Sequence, residues 1–359
     1  MKSRFSSSPL TARGTAQNPV GRFERLEIVP DPPEDGEEAS PVRTVFLRDD
    51  SQTILSWNKS PDIPFEVGLN PYRGCEHGCA YCFARPTHEY LGMSAGLDFE
   101  SRIVVKPDAP ELLRCELSKK SWQPQTIALS AVTDCYQPVE RRLELTRRCL
   151  QVLAEFRNPV AVITKNHLIT RDMDILSELA AHRCVVVNIS VTTLDPDLAK
   201  VLEPRASPPQ RRLKAIRELR EAGIPVQVMM APVIPGLTDH EMPALLKAVA
   251  EAGAGSAYYV PLRLPGVVAP LFEAWLERHA PGHREKVLNR IREMRGGKLY
   301  DAAWGTRMRG EGFFADQLKA LFTLAKHRAG FHRDPVELST ASFRVPSAQM
   351  DLFDWQKQG

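Results

Sequence analysis

Three cysteines, Cys75, Cys79 and Cys82, stand at C-x3-C-x2-C spacing within the stretch NPYRGCEHGCAYCF. An odd trio cannot be consumed by disulfides among its own members, and it is set too tightly for three independent core thiols, so the spacing points to metal. A zinc site takes four protein ligands, or three with an open position, and His77 would supply the fourth. Three thiolates around a cubane of four irons and four sulfides would instead leave one iron open to an exogenous ligand. Chemistry could occur at that iron.

The elements that must position these thiols read as alternating strands and helices. FEVGLNP at 65–71 is a first strand, directly before the cysteines. Five later apolar runs bounded by polar or turn residues read as buried strands: TIALSA at 126–131, VAVITK at 160–165, CVVVNISV at 184–191, PVQVMMAP at 225–232 and SAYYVPL at 256–262. Between them Glu140–Phe156, Asp172–His182, Gln210–Ala222, His240–Ala252 and Pro270–His279 carry apolar residues three or four apart, as helices do. This alternation predicts an α/β fold of parallel βαβ units with functional groups gathered at the C-terminal ends of the strands.

Those ends are polar. Thr133, Asp134 and Glu140 follow the 126–131 run, Thr164, Lys165 and Asn166 end the next, and Asn188, Ser190, Thr192 and Thr193 mark the third. Each alone would serve as a helix cap, but their repetition along one rim marks a site. Lys165 puts a cation at the mouth of the fold, where a carboxylate could bind.

Composition narrows the class. The 359 residues are 43% hydrophobic and 25% charged, as in a globular protein, and no stretch approaches the ~20 apolar residues of a membrane span. A basic N-terminus without an apolar h-region argues for reducing cytoplasm, where thiols stay free for metal. A net charge of +3 is too weak to argue nucleic-acid binding from the whole chain.

The C-x3-C-x-Y-C cluster after a first strand, with the βα succession behind it, resembles the radical S-adenosylmethionine (SAM) superfamily. Within it, GCEHGCAYCF, SAVTDCYQP, ITKN, NISV and LEPRASPPQRRL, in that order between about Phe65 and Tyr259, resemble the branch related to spore photoproduct lyase. The resemblance implies a partial (β/α)6 TIM-like barrel as the radical SAM core, with N- and C-terminal extensions. It implies that Cys75, Cys79 and Cys82 hold a [4Fe–4S] cluster whose fourth iron binds SAM. One electron, from a reductant such as flavodoxin or ferredoxin, would then yield a 5′-deoxyadenosyl radical that takes a substrate hydrogen. By position, Tyr81 lies beside the adenine, Thr133 and Asp134 near the methionyl end, Lys165 on the carboxylate and Ser190 near the ribose, with Glu140 and Arg205 as further cofactor contacts. His77 then wraps the cluster without ligating it, and Gly74 and Gly78 let backbone approach closely.

Cys115, Cys149 and Cys184 read as buried apolar side chains. Cys135, two residues after Thr133, is a candidate catalytic hydrogen donor. In spore photoproduct lyase the donor cysteine precedes the Thr/Ser–Asp positions, where this chain carries Ala131. The departure argues for a radical reaction other than repair of the spore photoproduct.

The chain accordingly divides into a disordered or surface-hugging arm over 1–45, the core over 46–265, a helical basic extension over 266–335 and a flexible tail over 336–359. RGTAQNPVGRFE in the arm reads as a solvated tail or a phosphate contact. From Lys286 to Arg309 seven Arg or Lys are interleaved with Tyr300 and Trp304, either a surface for a nucleic-acid backbone or the solvated face of a helix. QMDLF, Gln349–Phe353, resembles the peptide by which polymerases and repair proteins dock on the sliding clamp. The leading expectation is a radical SAM enzyme acting on nucleic acid, in DNA repair or modification. The alternatives are a radical SAM enzyme acting on a protein or small metabolite, and a non-catalytic zinc-binding nucleic-acid module.

Overall fold

The computed structural model describes residues 12–23, 42–332 and 336–346. The first strands are β1 (Val45–Arg48), β2 (Leu55–Trp57), β3 (Val67–Leu69) and β4 (Tyr72–Arg73). After the cysteines come α1 (Leu97–Ser101), β5 (Arg102–Val105) and α2 (Ala109–Leu117). The repeating units follow: β6 (Ile127–Leu129), α3 (Glu140–Leu143) and α4 (Leu145–Phe156), then β7 (Val160–Thr164) and α5 (Met173–Ala181). Next are β8 (Val185–Ser190), α6 (Pro196–Leu202), α7 (Pro209–Glu221), β9 (Val226–Val233), α8 (Met242–Glu251) and β10 (Ser256–Pro261). Three helices close the succession, α9 (Val268–His279), α10 (Arg284–Glu293) and α11 (Phe313–Arg328).

All six runs expected as strands are strands, and they form the main sheet in the order β10-β9-β8-β7-β6-β3-β2. From β3 to β10 the pairing is parallel, and β2 joins β3 antiparallel. This is the partial barrel of six βα units. The helix expected over Glu140–Phe156 is broken at Glu144, which takes φ +51° and separates α3 from α4.

Strand alternation decides which face is core. Val185, Val187 and Ile189 of β8 pack with the covering helices in the main apolar cluster, whereas Val186, Asn188 and Ser190 point to the concave side. In register, Ser190 pairs with Met229 and Met229 with Tyr258, which puts these three in one concave row. Full burial of each Val, Leu or Ile stabilises by roughly 1.5–3 kcal/mol, so a one-residue slip would be heavily disfavoured.

Among the described residues the sheet does not close on itself, and its two edges are tied by side chains. Asp62, in the loop after edge strand β2, accepts from Arg307 Nε (2.8 Å) and Nη2 (2.6 Å). Arg307 belongs to the segment beyond the other edge strand, β10. The bidentate pair bridges the lateral gap of the barrel.

The extensions are less separate than their composition suggests. Arg13 and Thr15 of the arm are buried, and β1 pairs parallel with β5 in a small sheet, β1-β5-β4. Residues 336–346 are not a free tail: Phe343 packs on Phe156 with ring centroids 6.3 Å apart, and Arg344 N donates to the Phe156 carbonyl at 2.9 Å. Gln349–Phe353 lies outside the described residues. Cys149 and Cys184 are buried as expected, but Cys115 is exposed on α2, one turn of that helix facing solvent. No helix among the described residues is long and apolar enough to cross a membrane.

Candidate active site

The cysteine loop leaves β4 at the C-terminal rim through Gly74 (φ +76°) and turns again at Gly78 (φ +65°). Both need glycine for space as well as φ: a Cβ at Gly74 would meet the Phe99 carbonyl oxygen at 2.9 Å, and one at Gly78 would meet Glu100 Oε2 at 2.7 Å. The backbone is pinned from several sides. Cys75 N donates to the Phe99 carbonyl (2.9 Å), Ala80 N to the Leu202 carbonyl (3.0 Å), and Arg85 Nη2 and Nε to the Cys79 carbonyl (2.8 and 3.1 Å). Gln137 spans the loop, accepting from Glu76 N (2.9 Å) and donating to the Gly74 carbonyl (3.2 Å).

Cys75 and Cys79 are buried and Cys82 is partly so. Burial pushes all three thiols up, and Asp134 adds to the rise at Cys75; Arg85 and Lys165 oppose it at Cys82, and Lys165 opposes it at Cys79. Three thiols in one glycine-hinged loop with cations at hand suit ligation as thiolates to an iron–sulfur cluster. His77 does not complete a zinc set. Asn166 Nδ2 lies 3.2 Å from its Nε2 and Asp134 Oδ2 lies 3.3 Å from its Nδ1, so both ring nitrogens face partners within the chain. Among the described residues no three His, Cys, Asp or Glu side chains converge on a single ion.

Asp134 organises the rim after β6. It accepts from Thr164 Oγ1 (2.7 Å), Tyr136 N (2.9 Å) and Lys165 N (2.8 Å). Burial alone would raise its pKa, but His77 and these donors outweigh it and hold the carboxyl below its ordinary value.

Lys165, Tyr81 and Glu203 form the adjoining cluster. Lys165 Nζ donates to the Ala231 carbonyl (3.2 Å), lies 3.6 Å from Glu203 Oε1, and sits 5.8 Å over the Tyr81 ring. The Tyr81 hydroxyl donates to Glu203, as does Thr192 Oγ1 at 2.8 Å. Arg212 pairs with Glu203 and donates to the Ser190 carbonyl at 3.0 Å. Burial works against the Glu203 carboxylate, yet Arg212, Lys165 and Tyr81 together pull its pKa down to about 2.

Four residues singled out by sequence occupy other roles. Thr133 Oγ1 donates to the Tyr72 carbonyl at 2.9 Å and so braces β4. Glu140 is wholly buried, and its carboxylate accepts from Tyr72 Oη (2.5 Å), Thr146 N (3.0 Å) and Arg171 Nη2 (2.8 Å), which leaves nothing for a cofactor. Arg205 grips the cysteine loop, through Glu76 Oε1 (2.9 Å) and the His77 carbonyl (3.2 Å to its N). Cys135 is fully buried in the helix-side core, with its carbonyl taken by Thr146 Oγ1 at 2.6 Å and its N donating to Ser130 Oγ at 3.0 Å. It is not placed to give a hydrogen to a substrate.

Sequence reasoning missed Glu203 and Arg212. A signal existed: Arg212 shares helical spacing with the buried Ile216 and Leu219 of α7, so a cation stood on an apolar stripe.

The Radical SAM superfamily profile matches residues 69–249, half of the chain. An uncharacterized protein of Mycobacterium tuberculosis strain H37Rv is 38% identical over 303 residues, 82% of this chain and 85% of that protein. An uncharacterized protein of Methanocaldococcus jannaschii is 30% identical over 173 residues, 48% of this chain and 62% of that protein. Among solved structures, spore photoproduct lyase complexed with dinucleoside spore photoproduct superposes with a TM-score of 0.57 at 14% identity, covering 79% of each chain. A variant of that lyase with bound AdoMet and the same dinucleoside has a TM-score of 0.57 at 13% identity over 80% of this chain and 79% of that one. With a parallel sheet carrying the three-cysteine loop at its C-terminal rim, this chain belongs to the radical SAM superfamily, enzymes that use a [4Fe–4S] cluster and S-adenosylmethionine.

Proposed function

We propose that this radical SAM enzyme acts on nucleic acid, DNA in the first instance, with Cys75, Cys79 and Cys82 as the cluster ligands. When bound, the cluster and SAM supply a 5′-deoxyadenosyl radical able to abstract hydrogen. The chain's own residues bind and orient. Lys165 offers the cation for the SAM carboxylate, Tyr81 a ring beside the adenine, and Ser190 a hydroxyl on the concave face for the ribose, while Asp134, engaged within the chain, shapes the methionyl end of the site. The electron comes from a small redox protein such as flavodoxin or ferredoxin.

The observation that carries nucleic acid over a metabolite lies beside the cysteine loop. The Arg263 guanidinium is 4.9 Å from the ring of Phe83, the residue after Cys82. Burial, with the like charge of Arg307, lowers its pKa, although Tyr300 and the more distant Asp62 carboxylate act the other way. Among the described residues no carboxylate comes within ion-pair distance of it, and its Nη1 meets the weak acceptor Met308 Sδ at 3.0 Å. Trp304, in the same segment as Met308, is 65% exposed, and Phe83 is 46% exposed. A phosphodiester would satisfy the guanidinium fork and bases would stack on the rings. Solved structures of the same fold hold a dinucleoside, which agrees with that reading. Gln349–Phe353 would deliver the enzyme to a sliding clamp, and a peptide of residues 347–355 that ignores a clamp bound by a polymerase peptide would remove that part.

The test is anaerobic reconstitution followed by reduction with SAM. The reading expects a brown protein with about four irons per chain, 5′-deoxyadenosine formation that DNA accelerates, and DNA binding that weakens with salt. A colourless zinc protein would end the radical assignment. Cluster and 5′-deoxyadenosine with indifference to DNA would move the substrate to a protein or metabolite.

A further inference from the structure

We infer that residues 13–22 form the outer wall of the cluster site, a strap that holds the cysteine loop in its cofactor-binding shape and shields it from water and dioxygen. This inference is independent of which substrate the enzyme takes.

The strap touches the loop backbone to backbone. Gly14 lies so close to Gly78 that a Cβ on it would come within 1.6 Å of the Gly78 carbonyl oxygen. On the other side, a Cβ on Gly96 would come within 1.9 Å of the Gln17 carbonyl oxygen, and Leu97 N donates to that carbonyl at 3.0 Å. Neither Gly14 nor Gly96 has a positive φ, so what demands glycine there is space. Two such contacts, one needing glycine on the strap and the other needing it on the body beneath, make this a built interface.

A buried polar relay then runs from strap to cysteine. Glu100, fully buried, accepts from Gly14 N (2.9 Å), Thr15 N (3.1 Å) and Thr15 Oγ1 (3.1 Å). The same carboxylate receives Arg85 Nη2 at 2.5 Å, and Arg85 in turn holds the Cys79 carbonyl. Arg13 Nη1 donates to the Glu100 carbonyl at 2.8 Å, and its Nη2 to the Val42 carbonyl at 2.7 Å. Farther along, Asn18 exchanges two hydrogen bonds with Asp98 (2.9 and 3.0 Å), and Arg22 Nε pairs with Glu89 at 2.6 Å. A carboxylate buried as deeply as Glu100 needs all of its donors, so detaching the strap leaves it under-satisfied and loosens Arg85 from Cys79. Arg13, Gly14, Thr15, Asn18 and Arg22 are therefore positioning residues for the cluster loop, in a segment whose composition reads as a tail.

Full-length Gly14→Val and Thr15→Val proteins test this with two readouts that need no turnover: hydrogen exchange of amides 75–82 in the cluster-free protein, and loss of visible cluster absorbance on admitting air. Gly14→Val should raise both rates about tenfold, the loss expected when hydrogen bonds to a charged group are broken. Thr15→Val, which removes one hydroxyl without steric demand, should raise them about threefold. A folded Gly14→Val protein with wild-type exchange and bleaching overturns the strap. Should Gly14→Val fail to fold, wild-type rates in Thr15→Val overturn it instead.

Discussion

Lys165 Nζ stands 3.6 Å from Glu203 Oε1, so the cation at the barrel mouth is held in place by the chain's own buried acid before any ligand arrives. Glu203 also receives Tyr81, Thr192 and Arg212, which ties the residue after α6, the first turn of α7 and the cysteine loop into one unit. Pre-orientation of this kind reduces the ordering cost of binding a carboxylate.

Lys165→Gln should therefore weaken SAM binding about tenfold, as loss of one charge-assisted contact does, while leaving iron content unchanged. Equilibrium binding with an iron assay on the same preparation checks it. Equal affinity in the variant would take Lys165 out of the SAM site.

Glu203→Gln should cost about 3 kcal/mol of stability, because it leaves Arg212 buried without its partner. The pH dependence follows from the direction of the shift. A carboxylate whose folded pKa is depressed from 4.5 to about 2 contributes stability that is full above the unfolded value and lost as pH falls toward the folded one. The gap in urea midpoint between wild type and variant should thus be largest near neutrality and shrink between about pH 4.5 and pH 2. A gap that stays constant over that range would contradict the assignment.

Cys135→Ala should leave 5′-deoxyadenosine formation and product yield unchanged and lower stability by about 1 kcal/mol, the cost of a small core truncation. A variant that forms 5′-deoxyadenosine normally but yields no product would restore Cys135 as a hydrogen donor.

Arg263→Gln should weaken binding to single-stranded DNA about tenfold and make the slope of log Kobs against log salt shallower by about 0.7, the value of one phosphate contact on a single strand. Arg263→Lys, which keeps the charge and loses the fork, should retain the slope. If wild type binds and Arg263→Gln matches it in slope and affinity, the phosphate lies elsewhere.

Much of this architecture was legible in the chain. The cysteine spacing announced a metal loop, and the apolar runs from TIALSA to SAYYVPL announced parallel strands, because ligand spacing and strand burial are local properties written in consecutive residues. Lys165 and Asp134 were legible for a related reason: a polar residue at the end of a buried strand has few places to go except the rim.

What only tertiary structure decided was direction and partnership. Thr133, Asp134 and Cys135 are neighbours in sequence, yet one braces β4, one faces His77 and one is sealed in the helix-side core, since each heading is set by a partner distant in sequence or by burial. Glu140 and Arg205 look like cofactor contacts by position and are consumed by Arg171 and Glu76, partners 31 and 129 residues away by number. The N-terminal segment is the plainest instance. RGTAQNP has the composition of a solvated tail, and becomes part of the cluster housing because Glu100, more than eighty residues on, offers it a buried carboxylate that no local pattern could reveal. Residue types and spacing determined the chemistry this chain can perform; long-range packing determined which of its polar side chains remain free to perform it.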